Sequence, residues 1–557
     1  MSTDALAEAA EPGGDRRRWL AMPFIALGVA MIIVDATIVN VAVPTIIREL
    51  HVTATTAEWT NSIYSLVFAS LLITLGRVGD MFGRRRLFLA GTVVFVAASL
   101  VAATAGSGGM LIFGRFLQGI GGAMILPATL STVNSLFRGR ERAIAFAIWG
   151  STIGGMAAIG PFLGGLLTTD LSWRWAFLIN VPIGIVIVIG LLLVVPETSE
   201  PDTPRGFDAP GQLTLIVGLA ALVFGLIEGQ NYGWWTSTKR LALLDWPAGT
   251  LSPIPVVFAI SIASLVAFVW IERRRARAGK LVVVDFRLFS ITSFRNGNFA
   301  ALIVALGEFG LLFALPLYLQ GALGLSALQT GAALVPLALG TLVAGGLTPI
   351  AAPRLGPRGV VQIGLGLEVI GIGGLGLVLG PTTSVWAIIP WLVLYGTGVG
   401  FATAQLTGLI LTEVPVEQSG QGSGIQSTFR QVGSALGIAI LGTILITTLG
   451  SGLRDRLRGV PDLSPARQAA ITEAVRASGG SAIVELRAAP GSERIVTESA
   501  GALADAARNA ALAAAAFVLI GLASTFRLPN PGGSAGDGSE ASADEASPDE
   551  DEQPMVV

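Results

Sequence analysis

The chain contains no cysteine and one histidine in 557 residues, and only 13% of it is charged. Without cysteine there are no disulfides, no zinc–thiolate sites and no thiol catalysis. A lone histidine, His51, excludes a histidine metal cluster or a histidine relay for protons. There is no Walker-type glycine loop ending in Lys-Ser/Thr, so ATP is not the visible energy source. The string nearest to a nucleophile elbow, Gly420-Gln421-Gly422-Ser423-Gly424, reads Gly-x-Gly-Ser-Gly and lacks a histidine partner. It is read here as a flexible turn joining two helices. No catalytic set stands out, and the expectation is a protein that is not an enzyme, holds no metal or cofactor and binds no nucleic acid.

The shortage of charge is itself diagnostic, since soluble proteins carry about 25% charged residues. Apolar residues make up 52% of this chain and glycine supplies 71 positions, a composition suited to closely packed membrane helices. The net charge of −2 conceals a segregated pattern, with basic residues in short loops and a strongly acidic tail. Residues 1–18 end in Arg16-Arg17-Arg18 before an apolar run too long for a signal-peptide core, so a retained first helix is expected.

A spanning helix needs about twenty apolar residues. Runs of that kind lie near 20–44, 58–78, 87–106, 109–134, 143–168, 174–196, 210–230, 254–272, 296–319, 329–351, 359–380, 385–411, 425–449 and 502–526. They predict an all-α integral membrane protein of about fourteen transmembrane helices. Arg84-Arg85-Arg86, Arg138/Arg140/Arg142, Arg273-Arg274-Arg275 with Arg277 and Lys280, and Arg354/Arg358 all fall in loops on one side. The positive-inside rule makes that side cytoplasmic and puts both termini there. Residues 450–500 fall outside in this scheme with seven arginines and six acids. A loop of that length can translocate despite its charge, and its alternation of Ala, Val, Arg and Glu suits a short surface helix. The tail from Gly532, rich in Ser, Asp, Glu and Gly, is expected to be disordered.

Between the second and third runs lie Gly76-Arg77-Val78-Gly79-Asp80-Met81-Phe82-Gly83-Arg84-Arg85-Arg86. Glycines, an acid and a basic cluster there suit a tight cytoplasmic turn. A degraded counterpart, Pro353-Arg354-Leu355-Gly356-Pro357-Arg358, falls between the tenth and eleventh runs. The echo suggests a doubled architecture, as in many secondary carriers. The expected parts are a cytoplasmic segment 1–18, a six-helix bundle 19–196, inserted helices within 197–280, a second six-helix bundle 281–527 including the extracellular loop 450–500, and a tail 528–557.

Charges at helix centres are costly and mark function by default. Asp35 lies mid-helix and could carry a proton or pair with a cation; the bland alternative is a hydrogen-bonded structural acid. Arg115 in the fourth run could hold such an acid ionised, or merely snorkel to an interface. Glu308, mid-span with no basic residue nearby in sequence, is a candidate second acid. Glu228 and Glu368 are read as structural. In the fifth run Gly160-Pro161 and Gly164-Gly165 allow packing at backbone distance and a bend. The string Trp173 to Pro182 puts aromatics at the outer interface, which leaves its Arg, Asn and Pro unexplained.

Together these residues resemble the major facilitator superfamily, in particular its fourteen-helix drug:proton antiporter family (EmrB/QacA type), over about 19–449 plus the last helix. The resemblance implies the major facilitator fold of two six-helix bundles plus two inserted helices. The Asp35-to-Pro44 string is similar to a first-helix signature tied to substrate or proton handling. Gly76, Arg77, Gly79, Asp80, Gly83, Arg84 and Arg85 match the loop whose charge relay latches the bundles and controls switching. Arg115 with Gln118 and Gly119 matches a motif tied to proton coupling, and Gly160, Pro161, Gly164 and Gly165 match the antiporter motif associated with export. Met156 stands where a small residue is often expected. Trp173–Pro182, and Gly420–Gly437 with Arg430-Gln431, resemble further signatures.

The expected function is multidrug efflux across the plasma membrane by alternating access, exchanging protons for an amphipathic, cationic compound. Asp35, Arg115 and Glu308 would couple the two, the proton-motive force would drive them, and the carrier would act as a monomer in the bilayer. The alternative is export of a self-made secondary metabolite or antibiotic. Proton-coupled nutrient uptake and a non-transporting membrane sensor are the rivals.

Overall fold

Ser, Thr and Pro start the helices of this chain. In a computed structural model, Thr53, Ser107, Ser252, Ser326 and Ser384 each accept a backbone N–H at a helix start, supplying one of the donors' missing partners. The structure describes residues 12–137, 139–198, 206, 208–238, 249–414, 419–460 and 463–528, with the side chains of 12–17, Arg77, Asp80, Asn134, several residues of 139–158, Gln230, Pro349, Ala404, Ser419 and Gly420 outside that set. The acidic tail therefore lies outside the described residues.

The described residues form helices α1 (Pro12–Leu50), α2 (Ala54–Phe82), α3 (Arg84–Ala103), α4 (Gly108–Leu136), α5 (Gly139–Asp170), α6 (Trp175–Leu178) and α7 (Asn180–Leu193). Then come α8 (Ala209–Tyr232), α9 (Pro253–Arg277), α10 (Thr292–Gly321), α11 (Ala327–Val378), α12 (Val385–Leu411) and α13 (Ser419–Leu457). Two short helices, α14 (Pro465–Ala477) and α15 (Ala482–Ala488), precede α16 (Glu493–Thr525). Thirteen segments among the described residues are long and apolar enough to cross a membrane, α11 supplying two of them. The 32-residue α5 brings the number to fourteen.

The protein is an all-α, multi-pass membrane protein of two six-helix bundles. The first comprises α1 to α7 and the second α10 to α13 with α16. Gly83 (φ 113°) separates α2 from α3, and Gly356 (φ 70°) breaks the helical course of α11. Both are single-residue breaks at conformations that favour glycine, so the faint sequence echo corresponds to equivalent corners. The inserted pair α8–α9 lies at the seam. Gln212 of α8 accepts from Thr74 and donates to the Ser70 carbonyl on α2, while Thr443 of α13 donates to the Leu226 carbonyl at 3.1 Å. The exposed Ile260, Ile262, Val266 and Trp270 of α9 present an apolar face suited to lipid.

The bundles meet along α2 and α13, where Ser65 and Ser434 lie 3.4 Å apart and Thr428 donates to the Ala69 carbonyl at 3.3 Å. At the end opposite Gly83, Gln320 donates to the Val41 carbonyl (2.9 Å) and the Leu328 N–H to Thr169 (2.9 Å).

Four expectations change. The tight turn expected over 76–86 narrows to a single residue, because α2 continues to Phe82 and only Gly83 breaks it. Residues 420–424 are no flexible connection either; they lie in the first turns of α13. Gly422 there faces Leu411 and Gly424 faces Ile73. The presumed loop 450–500 shrinks to the residues between Leu457 and Glu493 and carries two helices. Finally, the first helix begins at Pro12, inside the expected leading segment.

Candidate functional site: two buried charge clusters

Asp35 faces the interior of its own bundle. It is 0% exposed, and Arg115 on α4 is 1% exposed. Arg115 Nη1 lies 2.5 Å from Asp35 Oδ2 and donates to Gln118 Oε1 at 2.9 Å; Nε donates to the Thr60 carbonyl at 3.1 Å. The guanidinium also stacks 4.2 Å from the centroid of the Tyr64 ring. Asp35 Oδ1 accepts from Gln118 Nε2 and from Asn180 Nδ2, each at 2.8 Å. Both amides also donate to Ser99 Oγ, at 2.8 and 3.1 Å. Both carboxylate oxygens are thus met by donors, the arrangement that an ionised acid needs when buried.

Local sequence makes this closeness possible. Arg115 and Gln118 stand at i and i+3 and share a helix face. A Cβ at Gly119 would lie 2.9 Å from the Tyr64 carbonyl, and one at Gly121 would lie 2.8 Å from the Phe95 nitrogen. Glycine therefore lets α4 approach α2 and α3 at backbone distance. Arg115 does not snorkel. Nor is Trp173 an interface anchor: it is fully buried and donates to Glu49 at 2.9 Å.

The Gly83 corner is held from within the same bundle. Arg84 N–H donates to the Thr198 carbonyl (2.9 Å) and Arg85 N–H to Glu197 Oε1 (3.0 Å). The Arg85 and Arg86 guanidinium groups lie 3.9 and 3.7 Å from the same carboxylate. A side chain at Gly83 would run into Glu197, Gly79 sits against Leu87, and Gly76 against Pro127. The side chains of Arg77 and Asp80 lie outside the described set, so the expected relay is placed here only by its backbone.

Helix α5 is two-faced. Gly160 packs on Thr37, and a Cβ at Gly164 would stand 2.5 Å from the Ile38 carbonyl, both on α1. A Cβ at Gly165 would stand 2.5 Å from the Ala327 carbonyl of α11, and one at Gly331 2.5 Å from that of Pro161. Half of the motif therefore builds the bundle and half touches the other bundle. Met156 is partly buried against the core.

In the second bundle, Glu308 on α10 is 5% exposed. It has a partner that sequence distance concealed: Arg430 Nη2 on α13, 3.8 Å from Oε2. Glu368 on α11 is fully buried and within electrostatic reach of both. Glu228 accepts from Trp59 and Asn231, each at 2.9 Å, and so ties α8 to α2. Sequence reasoning missed Asn180, Ser99, Tyr64, Glu197 and the fully buried Glu58, which sits where a Cβ on Gly442 of α13 would reach it. The unexplained asparagine of the Trp173–Pro182 string was the available signal for Asn180. Among the described residues, no group of three or more His, Cys, Asp or Glu could hold a metal ion.

The sequence profile described as Major Facilitator Superfamily matches residues 25–438. The chain is 30% identical over 460 residues to the "Tetracenomycin C resistance and export protein" of Streptomyces glaucescens, covering 82% of each. It is 32% identical over 470 residues to the "Multidrug efflux pump LfrA" of Mycolicibacterium smegmatis, covering 84% of this chain and 87% of that one. Among solved structures, a bacterial homolog of the human lysosomal transporter Spinster, in an inward-facing and occupied conformation, superposes with a TM-score of 0.57. At 16% identity, with 93% of this chain and 97% of that one covered, it shows a shared fold.

Proposed function

Because the chain belongs to the Major Facilitator Superfamily, we propose that it is a proton-coupled exporter working by alternating access in the plasma membrane. Protons move inward and an amphipathic, preferentially cationic, compound moves outward. The Gly83 end faces the cytoplasm together with both termini, the chain acts as a monomer, and the proton-motive force replaces any cofactor. The observation that carries this reading is the Asp35–Arg115 pair, sealed inside the first bundle at 2.5 Å.

Protonating Asp35 removes the charge that holds Arg115. The guanidinium keeps Gln118, the Thr60 carbonyl and the Tyr64 ring, but an unpaired buried charge is strained by about 3–5 kcal/mol. That is enough to shift the balance between two conformations by two orders of magnitude or more. Since Asp35 is closed off from the space between the bundles, it acts on substrate through packing rather than by touching it. Gly160 and Gly164 transmit changes in α1 to α5, and Gly165 transmits them to α11. Glu308 and Arg430, nearer the seam, supply charge to the substrate path. The turn at Gly76, Arg77, Gly79, Asp80, Gly83, Arg84 and Arg85 controls switching.

Asp35→Asn is expected to abolish proton-driven efflux in everted vesicles while the protein still folds. Normal proton-driven transport by that variant would remove Asp35 from the mechanism. A second reading, export of a self-made antibiotic, is favoured by the Streptomyces relative named for resistance and export. A susceptibility panel in an efflux-deficient host, with and without an uncoupler, separates narrow from broad specificity.

A further inference from the structure

The second bundle holds two buried carboxyl groups and one guanidinium. Glu308 pairs loosely with Arg430 at 3.8 Å, and its Oε1 has no hydrogen-bond partner among the described residues. Glu368 is 0% exposed, and among the described residues neither of its oxygens has a hydrogen-bond partner. Tyr395 on α12, 1% exposed, is beside both acids, but its hydroxyl points to the Glu308 backbone carbonyl at 3.5 Å. The Glu368 side chain occupies the slot that a Cβ at Gly398 would fill, 2.6 Å from its Cγ. The groups facing it are therefore Glu308 from α10, Tyr395 from α12 and Arg430 from α13, with a net deficit of one positive charge.

A buried ionised carboxylate without donors is expensive, whereas a protonated one is not. Arg430 reaches Glu308 at 3.8 Å, and among the described residues no cation lies as close to Glu368, so the two acids cannot both stay ionised in such surroundings. The first bundle is the opposite case, because both oxygens of Asp35 are met by donors in this conformation. We propose that Glu368, which meets no donor among the described residues, carries one proton while Glu308 is held by Arg430, so that the two acids form a second proton site that is loaded while Asp35 is ion-paired. Arg430 is its switch. When the helices move and Arg430 draws away or toward the seam, the pair binds or releases its proton. The chemical step is transfer of one proton between a carboxyl oxygen and water, with no bond to carbon changed. This deepens the proton-coupled reading, on which it rests for its link to transport.

Two measurements separate the site from that reading. Infrared difference spectroscopy on the reconstituted full chain at neutral pH reports protonated carboxyl groups by a carbonyl stretch that shifts in deuterium oxide. The band is expected in the wild type and in Asp35→Asn, to be lost in Glu368→Gln, and to be displaced in Glu308→Gln. A band that is absent from the wild type, or unaltered in Glu368→Gln, would overturn the proposal. Glu368→Gln resembles the protonated acid and should keep the wild-type melting temperature. In proteoliposomes with ethidium as the probe, it should move one proton fewer per cation than the wild type. An unchanged ratio would remove the pair from coupling. Should Asp35→Asn still transport under a proton gradient, the Asp35 mechanism fails while the infrared result for Glu368 stands by itself.

Discussion

Arg115 must serve three acceptors in fixed directions: Asp35 Oδ2, Gln118 Oε1 and the Thr60 carbonyl. Only a planar guanidinium offers donors in that fan, and only it stacks flat on the Tyr64 ring. Lysine at this position keeps the charge but can satisfy the carboxylate without holding Gln118 and Thr60 in place. Arg115→Lys is therefore expected to fold, with a melting temperature near that of the wild type, yet to lose at least nine-tenths of its initial proton-driven efflux rate. A charged hydrogen bond is worth about 1.5–3 kcal/mol, and one lost contact of that size accounts for the loss, at about 1.4 kcal/mol per factor of ten. Wild-type efflux in this variant would mean that charge alone, without geometry, suffices. The importance of Asp35 and Arg115 was legible in the sequence because a charge at a helix centre is costly wherever it sits. Their companions were not. Asn180 and Ser99 are ordinary polar residues, and nothing local reveals that Asn180 donates to Asp35 Oδ1 while Ser99 Oγ accepts from both Asn180 and Gln118. Arg430 was hidden from Glu308 for the same reason.

At the scale of the helix, small residues mislead when read one at a time. Gly76, Gly79 and Gly83 resemble a turn by composition, but Gly76 and Gly79, three apart, lie on one face of α2, which keeps its course to Phe82 until Gly83 breaks it. Gly420 to Gly424 resemble a linker, yet packing against Leu411 and Ile73 overrides their low helix propensity. The antiporter glycines of α5 separate by face, which allows a paired prediction. Gly164→Ala drives a Cβ toward the Ile38 carbonyl within the first bundle. It should cost about 1–3 kcal/mol of overpacking and lower the melting temperature. Gly165→Ala meets the Ala327 carbonyl across the bundle interface. The bundles can draw apart, so its melting temperature should stay near that of the wild type while the initial efflux rate falls. Equal losses of stability in the two variants would show that α5 and α11 behave as one body. The count of fourteen spans and the doubled corner at Gly83 and Gly356 were legible from hydropathy and glycine punctuation. The cap between α13 and α16 was legible only as a short surface helix, and its second helix and its contacts were not, since its apolar faces are too short to mark a span.

At the scale of the molecule, that cap crosses from one bundle to the other. Helices α14 and α15 belong by chain to the second bundle, but Gly479 between them rests on Ala54, the first residue of α2. Arg487 of α15 donates to the Ala322 carbonyl at the end of α10, and Gln320 there reaches the Val41 carbonyl of α1. Opening this end to release substrate requires Gly479 and Ala54 to part. A Cβ at Gly479 would lie 3.1 Å from the Ala54 Cβ, close to the roughly 3.5–4.5 Å spanned by a disulfide. The chain contains no cysteine, so Ala54→Cys with Gly479→Cys introduces the sole thiols. The left-handed backbone at Gly479 (φ 59°) adds strain of about 1–2 kcal/mol for a non-glycine residue, which the fold can bear. Oxidation should cross-link the pair and stop ethidium efflux, and reductant should restore it. In the proposed orientation, with the Gly83 end in the cytoplasm, a membrane-impermeant thiol reagent added outside intact cells should block the cross-link. Full transport by the cross-linked protein would show that the two bundles never separate at this contact. Labelling only in everted vesicles would turn the molecule over in the membrane.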